Sequence, residues 1–318
     1  MLDEVRDQPE GVRFLRRVVE GHLTSPLLLV GDEGVGRRFS VTQAVLEMFC
    51  TGTHCSGCGC VDCVQVGQGI HPDLTVLAPE GDREIGVDAV RDLIETATVF
   101  PMVAPYRILV VDGADRLTMA AANALLKTLE EPPPSARFFL LAESLGRVIP
   151  TIRSRCGVVS YHALSEAMVL SVLGQFEDDP AKALVYARLG EGSIGRATRY
   201  WGSGRLMLRD KTFSLIRLAL ERDVASLFSA VDAMDKELVQ VLVFLRYLTH
   251  DLLMVTTDPT RVLNTDLVED LVQMQARRPP SVWHQLNTVV GQLREQTRST
   301  RLALAFHIKT RLVETLAV

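Results

Sequence analysis

Five short apolar runs, at about 27–30, 73–77, 107–111, 137–141 and 157–160, punctuate the first half of the chain. Leu27 to Val30, Ile108 to Val111 and Phe138 to Leu141 are unbroken apolar runs, of the kind buried on both faces in a parallel sheet covered by helices. The stretches between them carry apolar residues at helical spacing: Val12, Leu15, Val18 and Val19; Val41, Val45, Leu46 and Phe49; Val90, Leu93, Ile94 and Ala97. The last such stretch, with Leu117, Ala121, Leu125, Leu126 and Leu129, runs until Pro132-Pro133-Pro134 stops it. Alternating strands and helices predict β-α-β units in a mostly parallel sheet.

Beyond Tyr161 the strand pattern ends. Residues 164–176, 180–189 and 193–201 predict three short helices, and from about Leu206 the rest is helical by period. The predicted fold class is therefore α/β followed by all-α, with an α/β domain at 1–160, a three-helix domain at 161–204 and a helical domain at 205–318. The most apolar long window, 238–253, contains Gln240, Arg246 and Asp251, too short and too charged to span a bilayer. The first ten residues are polar, with four acidic side chains and no signal-peptide pattern, which predicts a cytoplasmic protein. With 318 residues and 47% hydrophobic content the chain has ample material for several cores, and its net charge of -5 argues against broad nucleic-acid binding by the chain alone.

The turn after the first strand, Gly31-Asp32-Glu33-Gly34-Val35-Gly36-Arg37-Arg38, has the setting of a P-loop, in which backbone N–H groups and a helix N-terminus cradle phosphates. A working P-loop ends in lysine, which reaches the outer phosphates, and a serine or threonine, which holds magnesium. Arg37 and Arg38 stand there instead. Arginine keeps the charge in a bulkier head, and a second arginine cannot ligate magnesium. Weak binding of ATP or ADP without hydrolysis is one reading, and a glycine turn that merely joins strand to helix is the other. Asp112, at the carboxyl end of the third strand, is in the same way either a phosphate-metal position or a strand-capping carboxylate.

Five of the six cysteines, Cys50, Cys55, Cys58, Cys60 and Cys63, fall within fourteen residues. In a chain with no secretory pattern such density points to a metal rather than disulfides. Tetrahedral structural zinc needs four ligands. The expected set is Cys50, Cys55, Cys58 and Cys63, with Cys60 the alternative to Cys58.

Taken with His71-Pro72-Asp73, Gly86-Val87-Asp88-Ala89-Val90-Arg91, the run Ala121 to Pro133 and Ser154-Arg155-Cys156, these features resemble the clamp-loader subunits of the AAA+ superfamily, most closely the delta-prime subunits of bacterial DNA polymerase III. The resemblance implies an AAA+ domain with an inserted zinc module at about 50–63, a lid and an oligomerising collar. It further implies a pentamer with gamma/tau-like and delta-like subunits that places a sliding clamp on primed DNA. In that family the arginine of Ser154-Arg155-Cys156 reaches a neighbour's nucleotide. Arg155 is thus expected as an arginine finger given in trans, with Ser154 and Cys156 as motif positions. Motor subunits resemble the chain too, but have an intact P-loop, an Asp-Glu pair where this chain has Asp112-Gly113, and a polar sensor residue where it has Ala142-Glu143. Arg196 lies one residue off the family's second sensor position. The degenerate site points to a non-hydrolysing subunit. The alternatives are an active gamma/tau-like ATPase and a zinc-dependent nucleic-acid-binding module.

Overall fold

The computed structural model describes residues 1–52, 57–81, 83–202, 204–296 and 301–316. They form two compact units, Met1–Val169 with Gly192–Gly195, and Leu170–Glu191 with Arg196–Val318.

In the first unit the elements run α1 (Pro9–Val19), β1 (Leu27–Val30), α2 (Arg37–Phe49), α3 (Val61–Gln68), β2 (Leu74–Leu77), α4 (Val87–Thr98), β3 (Arg107–Asp112), α5 (Met119–Glu130), β4 (Ala136–Ala142), α6 (Pro150–Arg153) and β5 (Gly157–Ser160). The sheet order is β2-β3-β4-β1-β5, and every pair is parallel. All five expected strands are present, each within a residue or so of its expected bounds. Successive side chains of a strand point to opposite faces. Accordingly Leu27, Leu29, Ile108, Val110, Phe139 and Leu141 belong to one core beside α1 and α2. Leu28, Leu109, Val111, Phe138 and Leu140 belong to the other, beside α4 and α5. This two-sided burial is why β1, β3 and β4 read as unbroken apolar runs.

The N-terminus of α5 is fixed by Thr118, whose hydroxyl accepts the Ala121 N–H at 3.2 Å. Its C-terminus falls at Glu130, two residues before the proline run. In an open parallel sheet the crevice lies at the carboxyl ends of strands whose connections diverge, here β1 and its neighbour β4. The glycine-rich turn after β1, Asp112 at the end of β3 and Glu143 after β4 all sit along that edge.

The chain continues through α7 (Glu166–Leu173), α8 (Pro180–Leu189) and α9 (Ile194–Gly202), at the positions of the three predicted short helices. Next come α10 (Arg205–Leu220), α11 (Val224–Ala233), α12 (Leu238–Thr257), α13 (Val268–Gln275), α14 (Pro280–Gln296) and α15 (Arg301–Leu316). The helix α12 is long and apolar enough by composition to cross a membrane. It packs instead inside the second unit, with Val241, Leu242, Phe244, Leu248 and Leu252 buried. Its Asp251, fully buried, accepts the N–H groups of Leu263 and Asn264 and the Asn264 side-chain amide at 2.7–2.8 Å. The fold class is α/β followed by all-α.

Candidate functional site

The P-loop turn needs its glycines for space and for backbone conformation. Gly34 has φ 78° and Gly36 φ 99°, in the left-handed region that favours glycine. A Cβ on Gly34 would lie 2.4 Å from Ser193 Oγ. The loop carbonyls are engaged there too: Ser193 Oγ donates to Glu33 O at 2.7 Å and Ile194 N to Gly34 O at 3.1 Å. Gly36 caps the N-terminus of α2, and its carbonyl accepts from Ser40 N at 2.8 Å. Gly31, with the Tyr161 backbone pressed against it, also has no room for a side chain.

The two arginines play different parts. Arg37 is 9% exposed and lines a cavity of about 270 Å³ with Glu33, Asp112, Asp115, Arg116 and Glu143. Arg38 Nη1 stands 3.4 Å from Asp112 Oδ2. The candidate magnesium carboxylate thus faces a guanidinium from the position where a metal-binding hydroxyl would be. Nor does the site have a ready place for a water-orienting glutamate. Gly113 has φ 106°, a conformation that strains any side chain. Asp115 is used structurally: it accepts Glu143 N at 3.3 Å and lies 3.7 Å from Arg147 Nε.

Among the described residues Cys50, Cys58, Cys60 and Cys63 place their sulfurs within 4.8 Å of one another. Four thiolates about 2.3 Å from a tetrahedral zinc stand roughly 3.8 Å apart, and Cys50 Sγ to Cys58 Sγ is 3.7 Å. The donors are soft sulfur and the number is right, so the residues fit a structural zinc. Two helix ends frame them, Cys50 after α2 and Cys60 before α3. The N–H groups of Cys63 and then Thr51 favour the Cys60 thiolate and bring its pKa down to about 6. Burial, and then the neighbouring Cys60 and Cys50, push the Cys63 thiol up. Cys60 and Cys58 both lie in the described cluster, and Cys55 lies outside the described residues.

Ser154-Arg155-Cys156 forms the joint between α6 and β5. The Arg155 guanidinium meets Glu130 at the end of α5, with Nε and Nη2 donating to Oε2 at 3.0 and 2.8 Å. Nη1 donates to Thr151 O at 3.2 Å. Arg155 is 29% exposed and, with Glu130, Thr24 and Pro26, lines an open cavity of about 560 Å³. Ser154 Oγ donates to Thr151 O at 3.1 Å. Burial pushes the Cys156 thiol up to about 12, which leaves it an uncharged packing group.

Two features escape a reading of spacing alone. Asp73, fully buried, accepts the N–H groups of Met102, Val103 and Ala104 at 2.7, 2.8 and 2.9 Å and the Arg107 guanidinium at 3.2 Å. His71 accepts Asp73 N at Nδ1, 3.0 Å, and sets Nε2 3.5 Å from Asp62 of α3. His71-Pro72-Asp73 thus ties the cysteine module and the 102–104 loop to the edge of the sheet. The other missed residue is Glu130, whose link to Arg155 joins positions 25 apart in sequence.

Residues 8–165, which hold the glycine turn, the cysteine cluster and Arg155, match the family described as "DNA polymerase III, delta subunit". Over 204 residues the chain is 32% identical to the DNA polymerase III subunit delta' of Pseudomonas aeruginosa, covering 63% of this chain and 62% of that one. Against the delta' subunit of Escherichia coli it is 40% identical over 146 residues, 45% of this chain and 42% of the other. Over this region the chain is similar to DNA polymerase III delta-prime subunits. A DNA polymerase III subunit gamma/tau from Mycobacterium tuberculosis is 30% identical over 202 residues, covering 57% of this chain and 35% of that one. The chain spans about three fifths of the Pseudomonas delta-prime subunit and less of the other two.

Proposed function

We propose that this chain is a non-hydrolysing, delta-prime-like subunit of a DNA polymerase III clamp loader. It works in the cytoplasm beside gamma/tau-like and delta-like subunits and helps place a sliding clamp on primed DNA. In this reading a lid at 161–204 and a collar at 205–318 complete the chain, and the collar holds the pentamer together. Cys50, Cys58, Cys60 and Cys63 hold a structural zinc. The chain's own nucleotide site, at Gly31, Gly34, Gly36, Arg37, Arg38 and Asp112, takes ATP or ADP weakly at most. Arg155 is its contribution to catalysis: a guanidinium supplied across a subunit boundary stabilises charge on the transferring phosphoryl group.

One observation carries the reading. Arg38 faces Asp112 where magnesium chemistry needs a hydroxyl, while Arg155 stays partly exposed at an open cavity. A site that brings a cation of its own to the metal's carboxylate is poorly suited to turnover, whereas a guanidinium with spare donors suits a partner's phosphates. The 30% identity to gamma/tau keeps an active ATPase as the second reading.

The test has two parts. The purified chain with ATP and magnesium should give no turnover, and Arg155→Ala in the reconstituted assembly should lower clamp-stimulated ATPase about a thousandfold if the finger has its usual weight. Turnover by the chain alone, lost on changing Arg37 or Asp112, would establish the motor reading. An Arg155→Ala assembly of normal composition and full ATPase would remove the finger.

A further inference from the structure

An arginine offers five N–H donors in a flat fork with three usable edges. In Arg155 the edge shared by Nε and Nη2 is taken by a single oxygen, Glu130 Oε2, at 3.0 and 2.8 Å. Thr151 O takes one Nη1 donor at 3.2 Å, and Ser154 Oγ stands 3.5 Å from Nη1, at the limit of a bond. What remains open is the second Nη2 donor on the end-on edge, beside an Nη1 whose bond to Ser154 Oγ is at the limit of length. The end-on pair of Nη1 and Nη2 can grip two oxygens of a phosphate once that long bond yields.

We infer that Glu130 is the positioning residue of Arg155: it closes the side-on edge of the guanidinium and thereby aims the end-on edge at a phosphate of a neighbouring subunit's nucleotide. The inference rests on the proposed finger role. Three observations support it. Glu130 is the last residue of α5, anchored by the buried Leu125 and Leu129 before it and stopped by Pro132, so its backbone is fixed by the core. Arg155 follows α6, a four-residue helix with Ile152 fully buried, so the other end of the bridge is fixed as well. The bridge itself is charge-assisted and short. An unheld arginine would spread over many rotamers and lose that freedom at the moment of binding, which weakens the contact. Glu130 removes much of this loss in advance.

A positioning role differs from sequestration, in which Glu130 would compete with phosphate for the guanidinium. In the assembly that contains this chain, with clamp, primed DNA and ATP, Glu130→Ala should lower kcat roughly tenfold, with KM for ATP little changed. Glu130→Gln should recover part of the rate, because its amide oxygen still accepts. Glu130→Ala combined with Arg155→Ala should be no slower than Arg155→Ala alone. On the chain by itself, the Arg155 Nε–H should give a slowly exchanging ¹⁵N signal that Glu130→Ala abolishes.

If Arg155→Ala leaves kcat intact, the finger reading falls whatever the exchange data say. If Arg155→Ala lowers kcat while Glu130→Ala leaves it unchanged or raises it, the finger stands and the positioning role is overturned. Fully additive effects of the two substitutions would overturn it too, since they would mark a general structural defect.

Discussion

Asp73 gathers three amide donors and one guanidinium around a carboxylate with no exposed surface. Burial by itself would raise its pKa, but the N–H groups of Ala104, Met102 and Val103, with Arg107, outweigh burial and hold it below the ordinary 3.8. The sign of the linkage follows. The folded state binds this proton less readily than the unfolded chain, so the contribution is complete above the unfolded pKa and drains away as pH falls through the folded one. Asp73→Asn should therefore flatten the fall of stability below about pH 4. Asp73→Ala, which strands Arg107 in the interior, should cost roughly 3–5 kcal/mol at neutral pH. Urea unfolding followed by circular dichroism between pH 3 and 7 measures both. A wild-type-like acid limb in Asp73→Asn would mean that another group carries it.

At the scale of elements, β1, β3, β4 and the faces of α4 and α5 are legible because periodicity is local and two-sided burial leaves unbroken apolar runs, while the part-exposed edge strands β2 and β5 give shorter ones. The P-loop turn is legible for a similar reason, since left-handed backbone at Gly34 and Gly36 demands glycine. The helix α3 is harder: eight residues between Cys60 and Gly69 with only Cys63 and Val66 buried give too little period to detect. The choice among clustered cysteines is not local at all, since it depends on how α3 folds back beside the end of α2. With Cys60 at the head of α3 completing the described four-sulfur cluster, Cys60→Ser should reduce bound zinc and loosen 50–68, whereas Cys55→Ser should keep one zinc per chain. Native mass spectrometry with hydrogen exchange over that segment checks both. Zinc lost with Cys55→Ser and kept with Cys60→Ser would restore the spacing-based ligand set. Glu130 was equally out of reach of spacing, because nothing at 130 signals that residue 155 will return to it.

For the whole molecule, exposed apolar side chains on a backbone held in place mark a candidate contact with another protein. The segment after α4 has both features. Phe100, Met102 and Val103 are 81%, 75% and 67% exposed. Their backbone is nevertheless pinned, because Met102 N and Val103 N are held by Asp73 and Phe100 O by Arg107 at 3.1 Å. A rigid loop that shows aromatic and thioether side chains pays little ordering entropy on binding, which is the condition for a strong protein contact. Under the proposed clamp-loader function, the prediction is that this loop meets a protein partner, with the sliding clamp as the partner to test. Replacing Phe100 and Met102 together by serine should weaken clamp binding by roughly 10- to 100-fold, the range of a lost apolar anchor. The melting temperature should hold, because neither side chain is buried and the Asp73 contacts use backbone alone. Binding isotherms of the chain with labelled clamp, beside thermal melts, give the two readings. Clamp affinity unchanged, with weaker association to the neighbouring subunit instead, would reassign the loop to the ring itself. A lowered melting temperature would instead mean that Phe100 and Met102 stabilise the fold, and the loop would lose its claim to be a free surface.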